Sequence, residues 1–337
     1  VQQRDNPSSS GSPAGQLATS ITGFIVTQAV YASAKLGIAD LVNDGPVPIE
    51  ELAKSTNTDS DSLYRLLRML SGSGIFVEHA DSEFGNSEVS SLLRSDLGTF
   101  RDFAITFGEG FYTAFGDMLR SVETGSPSFN MVHGTDYDSH YAQNPESGRH
   151  YHAFMAGGKR ALAARLAAEE WQDGELVVDV GGGNGTLLIE LLQRRPELRG
   201  LVTDLDHVVR DAEERIALAE LGDRLTAVGG DFFGGVPSGG HSYLLSRILH
   251  GWSDRDAAVI LHNVRRAIPE EGRLIIVNDV VAPPNEPGQK MMDLLALVLG
   301  GRERTESQWC TLLSANGFEL TDVRPGSLHS LIDARPV

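Results

Sequence analysis

The stretch VVDVGGGNG, residues 177–185, joins a short apolar run to a loop almost bare of side chains. An apolar run of this length reads as a buried strand. Glycines directly after it let main-chain amides approach a ligand closely, and a helix beginning there adds positive potential. The following residues, TLLIELLQRR, have helical spacing. Strand, glycine loop and helix in that order mark the point where a doubly wound sheet binds its ligand. The loop is G-x-G-x-G. Gly181 and Gly183 fit the first two positions of a dinucleotide loop, but Thr186 stands where its third glycine belongs.

Working outward, strands and helices alternate. GLVTDL, LTAVGGDFF, SYLLSRIL and GRLIIVNDVV read as strands, and VVRDAEERIALAEL and SDRDAAVILHNVRRAI as helices, the second capped by Ser253. Alternation of this kind argues for an α/β domain with a parallel, Rossmann-like sheet. The tail departs from it. A helix capped by Thr305 precedes ELTDVRP and HSLIDARP, which read as an antiparallel hairpin. Asp204 ends the second strand and can accept both hydroxyls of a ribose, with Leu205 beside it. Gly230 and Asp231 end the third. A carboxylate there can accept from an adenine amino group, and Phe232 can pack on the ring. Glycine loop, acid and acid on consecutive strand ends suit one adenosine with a charged tail and no pyrophosphate.

Before this domain the texture is helical. Residues 1–15 are rich in Ser, Pro and Gly and are expected to be a disordered tail. Residues 17–34 carry no charge but include several hydroxyls and a glutamine, so a buried amphipathic helix is expected rather than a membrane span. In residues 47–76, Pro48 opens a helix and Ser60 or Asp61 caps a second, whose apolar face is Leu63, Leu66, Leu67 and Leu70. GIFVEHADSEFGNS then resembles a small hairpin, completing a winged-helix pattern. Only Arg65 and Arg68 lie on the second helix, and the formal net charge of the chain is −18, so DNA binding is not expected. The division expected is a winged-helix domain over 16–100, a helical linker and pocket region over 101–165, and the cofactor domain over 166–337. The aromatic run in 100–115 can build core or wall a pocket for a flat ligand. His150-Tyr151-His152 lacks a carboxylate at ligand spacing, so no metal site is expected. One cysteine, Cys310, excludes an internal disulfide. The opening residues lack the basic-then-apolar order of a secretory leader, and a cytoplasmic protein is expected.

Taken together, VVDVGGGNG, TDLDHVV, GGDFF, LLSRILHGWSD, GRLIIVNDVV and GGRERTESQW resemble the S-adenosylmethionine-dependent O-methyltransferases of the plant caffeate and bacterial polyketide-tailoring type. The resemblance covers nearly everything after residue 16. It implies a class I methyltransferase domain and an N-terminal winged-helix domain that forms a homodimer. It also implies S-adenosylmethionine as cofactor, S-adenosylhomocysteine as product, and a phenolic or similar hydroxyl as acceptor. Asp179, Gly181, Gly183, Asp204, Leu205, Gly230, Asp231, Phe232, Ser246, Arg247 and Trp252 fall on cofactor positions. His250 falls on the base, although a histidine there also serves as a cap or core residue. Glu303 matches an acid that orients the base. A second acid position holds Asn278, which can hydrogen-bond an imidazole without stabilising imidazolium by charge. The residue after the base, commonly Asp, is Gly251, and Asp279 or Asp293 could compensate. The acceptor is expected against Phe107, Phe111, Phe115, Phe154, Met155, Asp293 and Leu297.

These departures keep a second reading open, in which a relative binds the cofactor for its charge and catalyses hydroxylation, dehydration or a pericyclic step. A ligand-sensing regulator and a dehydrogenase fit the strand-end acids and Thr186 less well.

Overall fold

The computed structural model describes residues 12–286, 288–326 and 329–337. Two compact units divide the chain. The first comprises residues up to Thr113 with Asp138–Met155, and the second Ala114–Tyr137 with Ala156–Val337. Residues 101–165, read above as one linking region, are shared between them.

Most of the tail expected over residues 1–15 lies outside the described residues. Its last part does not match the expectation, because a helix already runs over Pro13–Lys35, with Ser12 as cap and Pro13 pre-setting its first turn. That helix is long and apolar enough by composition to cross a membrane. Its second half packs into the first unit through Ala29, Ser33 and Ala34. The expectation of a buried helix fails for its first half: Leu17 is 62% exposed and Phe24 53%. Among the described residues, no other apolar element covers that face.

Strand β1 (Val47–Pro48), helices Ile49–Thr56 and Ser60–Gly72, and strands β2 (Phe76–Glu78) and β3 (Glu83–Asn86) form the winged-helix arrangement, in sheet order β1-β3-β2. Leu63, Leu67 and Leu70 are buried along one helical face. The cap of that helix is Asp59, which accepts from the Ser62 N–H at 2.8 Å, rather than Ser60 or Asp61. In the polar run DSDS, several residues have capping chemistry and only the backbone turn chooses between them.

The second unit is built on β4 (Leu176–Val180), β5 (Arg199–Asp204), β6 (Leu225–Gly229), β7 (Ser242–Ser246) and β8 (Arg273–Asn278), all parallel. A two-residue pair, β9 (Val280–Val281) with β10 (Arg304–Thr305), lies off this sheet. The expected hairpin is β11 (Phe318–Arg324) and β12 (Ser330–Pro336), and β12 runs antiparallel to β8. The order is β11-β12-β8-β7-β4-β5-β6. Alternate residues of each strand enter opposite cores. Val177, Leu244 and Ile275 meet Leu187 and Leu191 on one face. Val178, Leu245 and Ile276 meet Ile260, Leu261 and Trp309 on the other. Each such aliphatic side chain contributes roughly 1.5–3 kcal/mol on burial. Ser253 and Thr305 cap their helices as expected. Strand order reverses at β4, so the loop after β4 opens into the crevice where such sheets bind ligands.

Candidate active site

The loop after β4 turns through positive φ at Gly181 (73°), Gly183 (63°) and Gly185 (72°). A Cβ on Gly181 would lie 2.5 Å from Ile248 Cδ1. The glycine loop therefore packs against the turn after β7. Gly181→Ala must strain both the backbone and that contact, at a cost of about 1–3 kcal/mol. Affinity for S-adenosylhomocysteine should fall about 10- to 100-fold by calorimetry. An unchanged affinity would show that the loop does not touch the ligand.

Asp204 fixes this loop from β5. Its Oδ2 accepts from the Gly183 N–H and its Oδ1 from the Leu205 N–H, both at 2.8 Å. A carboxylate has about four acceptor sites, so both oxygens keep capacity for ligand hydroxyls. Asp231 accepts from the Phe233 N–H at 2.8 Å, and Asn263 donates to the carbonyls of Phe232 and Phe233. Phe232, Phe233 and Trp252 pack edge to face, with ring centroids 4.8–6.0 Å apart for the pairs with Trp252. The predicted adenine contacts are thus an aromatic group held at one strand end. Ser246 ends β7 half-buried, and Leu205 and Gly230 are exposed beside their strand ends.

Asp179 is 1% exposed, and neither of its oxygens has a hydrogen-bond partner among the described residues. Burial, reinforced by the nearby charge of Asp204 and opposed by Lys159, pushes its carboxyl up to about 7. A buried acid of this kind fits a cationic group on a ligand. Without one, it binds an extra proton in the folded state between its unfolded value of about 3.9 and about 7. The contribution of Asp179 to the stability of the ligand-free protein is therefore greatest below that window and declines as pH rises through it, by an amount on the order of 4 kcal/mol. Asp179→Asn should remove most of this decline, measured by urea unfolding at pH 4.5 and 7.5. An identical slope in both proteins would refute the account.

His250 sits in a single 3₁₀ turn, Leu249–Gly251, just past β7. Burial, then the charges of Arg247 and His329, drives its pKa down to about 3, so the imidazole is neutral. Its Nδ1 lies 3.5 Å from Glu303 Oε1, close enough for charge attraction but longer than a good hydrogen bond. Burial first, and Asp279 next among the raising charges, push Glu303 up to about 7. Arg247 has φ of 60°, and its Nη1 donates at 3.0 Å to both Asp279 and Glu303. Two buried acids thus hold the Arg247 guanidinium. Asn278 donates to Glu303 Oε2 at 3.0 Å. It was expected against the imidazole, but the register of β8 sets it against the acid. Asp279, offered as a compensating acid, is joined to Arg247 and His329. Asp293 accepts from the Glu303 N–H at 2.9 Å. The predicted trio of His250, Glu303 and Asn278 is brought together, with Asp293 behind it.

Sequence reasoning missed Arg304. It is 1% exposed and donates to the carbonyls of Leu249 and Trp252 and to Asp254, at 2.8–2.9 Å. It clamps both ends of the turn that bears His250. Its position beside Glu303 in GGRERTE was the available signal. Of the expected acceptor contacts, Phe107, Phe111 and Phe154 join one aromatic cluster with Phe103 in the first unit. Met155 is half-buried there, as are Phe115 and Leu297 in the second. His150 pairs with Asp102 at 2.7 Å, and no metal-binding group is found among the described residues.

A family model for the O-methyltransferase domain matches residues 112–319, and one for the O-methyltransferase dimerisation domain matches 18–96. Over 322 residues the chain is 43% identical to a phenazine O-methyltransferase of Lysobacter antibioticus, covering 94% of both chains. A methyltransferase of calicheamicin biosynthesis, solved with S-adenosylhomocysteine bound, matches with a TM-score of 0.86 at 32% identity, covering 96% of this chain and 98% of that one. An O-methyltransferase from neocarzinostatin biosynthesis, in complex with S-adenosylmethionine and 2-hydroxy-5-methyl naphthoic acid, matches with a TM-score of 0.78 at 29% identity, covering 93% and 96%.

Proposed function

The chain belongs to the O-methyltransferase family that carries a dimerisation domain, and from that premise we propose that it methylates a phenolic hydroxyl on a flat aromatic natural product with His250 as base. It is an S-adenosylmethionine-dependent enzyme. The observation that carries the reading is the packing of Ile248, two residues before His250, on Gly181. It supports the reading because the same turn that carries the neutral imidazole packs on the loop suited to the cofactor.

When bound, S-adenosylmethionine supplies an already activated methyl group. The chain's own work is to align the acceptor and remove its proton. Neutral His250 takes that proton from the acceptor hydroxyl, and Glu303 beside Nδ1 supplies the negative charge that steadies the resulting imidazolium. Arg247 and Asn278 hold Glu303 in place. Asp204 would take the ribose hydroxyls, and Asp231, Phe232 and Trp252 the adenine. Leu205, Gly230 and Ser246 would line the same site. Phe107, Phe111, Phe115, Phe154, Met155 and Leu297 are our candidates for acceptor contacts on chemical character. The similarity to a phenazine O-methyltransferase and to a relative holding a naphthoic acid favours a fused ring.

The exposed apolar face of helix Pro13–Lys35 falls largely within the dimerisation-domain match. We assign it to a homodimer. A cytoplasmic enzyme suits the free, exposed Cys310. The test is incubation with methyl-labelled S-adenosylmethionine and a panel of hydroxyphenazines and hydroxynaphthoates, read by mass spectrometry. Label appearing on an acceptor oxygen supports the reading. An acceptor altered without label would overturn it in favour of non-methylating chemistry.

A further inference from the structure

Arg247, Asp279 and His329 flank the ends of three neighbouring strands, β7, β8 and β12. The Arg247 N–H donates to the Val277 carbonyl at 2.9 Å. Ser330 is paired with Asn278, so His329 and Asp279 adjoin in the same register. Glu303 reaches this place by another route. Arg304 is paired with Val280 in β10 and β9, and the residue before each is an acid, Glu303 and Asp279. The fold thus sets two acids side by side, and both side chains are fully buried.

A guanidinium has five N–H donors and can serve one carboxylate with two of them at once. Here a single nitrogen, Arg247 Nη1, gives one bond of 3.0 Å to each acid. Neither acid has the cation to itself. Arg247 is held at φ of 60°, a backbone conformation that L residues keep only where their surroundings impose it. Beyond the shared cation the two acids differ. Glu303 has the neutral Asn278 amide, and the Nδ1 of neutral His250 at 3.5 Å. Asp279 has the His329 Nδ1 at 3.1 Å. Asp293, which accepts from the Glu303 N–H at 2.9 Å, and Arg304 complete the charged groups around the pair.

A network of this kind can serve only to tie strands together. The shared nitrogen argues for more. A second carboxylate on the cation that Glu303 uses weakens the cation's hold on the ionised form of Glu303, and its own charge repels that form. Burial raises the Glu303 carboxyl most; Arg247 lowers it and Asp279 raises it again. We propose that Asp279 is a positioning residue for methyl transfer: held by His329, it shares Arg247 with Glu303 and so governs the charge of the acid behind the base. It acts through Arg247 and Glu303 and need not touch either reactant. The proposal rests on the methyltransferase reading above.

The test titrates Glu303 directly and through turnover. With S-adenosylhomocysteine bound, infrared difference spectra follow the protonated carboxyl band that Glu303→Gln removes. With S-adenosylmethionine saturating, the pH profile of kcat/KM for the acceptor follows the reaction. Asp279→Asn keeps the shape and an acceptor for Arg247 but removes the charge. Both midpoints should move to lower pH by about 1 unit, the scale of one neighbouring charge. His329→Lys, which sets a fixed cation against Asp279, should move them the same way by less, and it carries the test if Asp279→Asn does not fold. Asp279→Asn added to Glu303→Gln should leave a flat profile flat. Midpoints at the native pH in both single variants would overturn the proposal, whatever the loss of rate. So would an infrared shift without a kinetic one, because the coupling would then not serve the reaction. The infrared arm needs no acceptor, so the proposal can fail while transfer of label stands. An acceptor altered without label would instead overturn the methyltransferase reading, and the positioning role with it.

Discussion

His250→Ala is expected to lower the rate of methyl transfer by about 10²- to 10⁴-fold, the usual scale of a lost general base. Affinity for S-adenosylhomocysteine should stay within about threefold. The imidazole is neutral over the whole working range, because burial and neighbouring cations hold its pKa near 3. No rise in activity with pH can then come from deprotonating His250. With S-adenosylmethionine saturating, so that Asp179 no longer titrates in step with turnover, the rise comes from Glu303, whose carboxyl is pushed up to about 7. Above that value Glu303 is charged and can steady imidazolium; below it the support fades. The kcat/KM profile of the native enzyme should therefore climb through about pH 7. Glu303→Gln should be slower and flat over the same range. A His250→Ala enzyme within tenfold of native activity would remove the base assignment. An unshifted profile in Glu303→Gln would remove the acid's part.

Arg304→Met should cost about 3–5 kcal/mol of stability. The guanidinium is 1% exposed and satisfies the carbonyls of Leu249 and Trp252 as well as Asp254. Methionine fills part of the volume but donates nothing. Each buried carbonyl left bare costs about 1–3 kcal/mol. Asp254 is 60% exposed, so water compensates for its lost partner. The guanidinium also lies over the Trp309 ring, 5.2 Å from the centroid, adding roughly 0.5–2 kcal/mol. Urea unfolding gives the number, and a loss under 1 kcal/mol would show that the turn holds itself. Because the same turn carries His250, turnover at a temperature where the variant remains folded should also fall.

What was legible in the sequence is what is local. VVDVGGGNG declares strand, turn and helix within nine residues. Ser253 and Thr305 cap helices by contacts three residues away. The antiparallel tail follows from alternation in two short runs. Partnerships across the fold were not legible. Arg247 reaches Asp279 over 32 positions, and Arg304 reaches Leu249 over 55. Such pairs depend on how strands order themselves, and that order is set by packing of the whole unit. Asn278 shows the limit clearly: its chemistry suits an imidazole or a carboxylate, and only geometry selects Glu303. The exposed half of the first helix misled for a related reason. Apolar composition announces that a surface is suited to being covered, but not what covers it.

The place of β12 has a consequence for synthesis. Among the seven strands of the large sheet it is the latest to be made, yet it lies inside, between β8 and β11. While a ribosome is still extending the chain, β11 has emerged without a neighbour and β8 presents an open edge. Unpaired edges invite pairing with other chains. The nascent protein is therefore at its most vulnerable to misassembly in the moments before Ser330–Pro336 slides into the gap. Insertion of that strand, rather than assembly of the earlier β4–β7 half, times the arrival of a complete sheet.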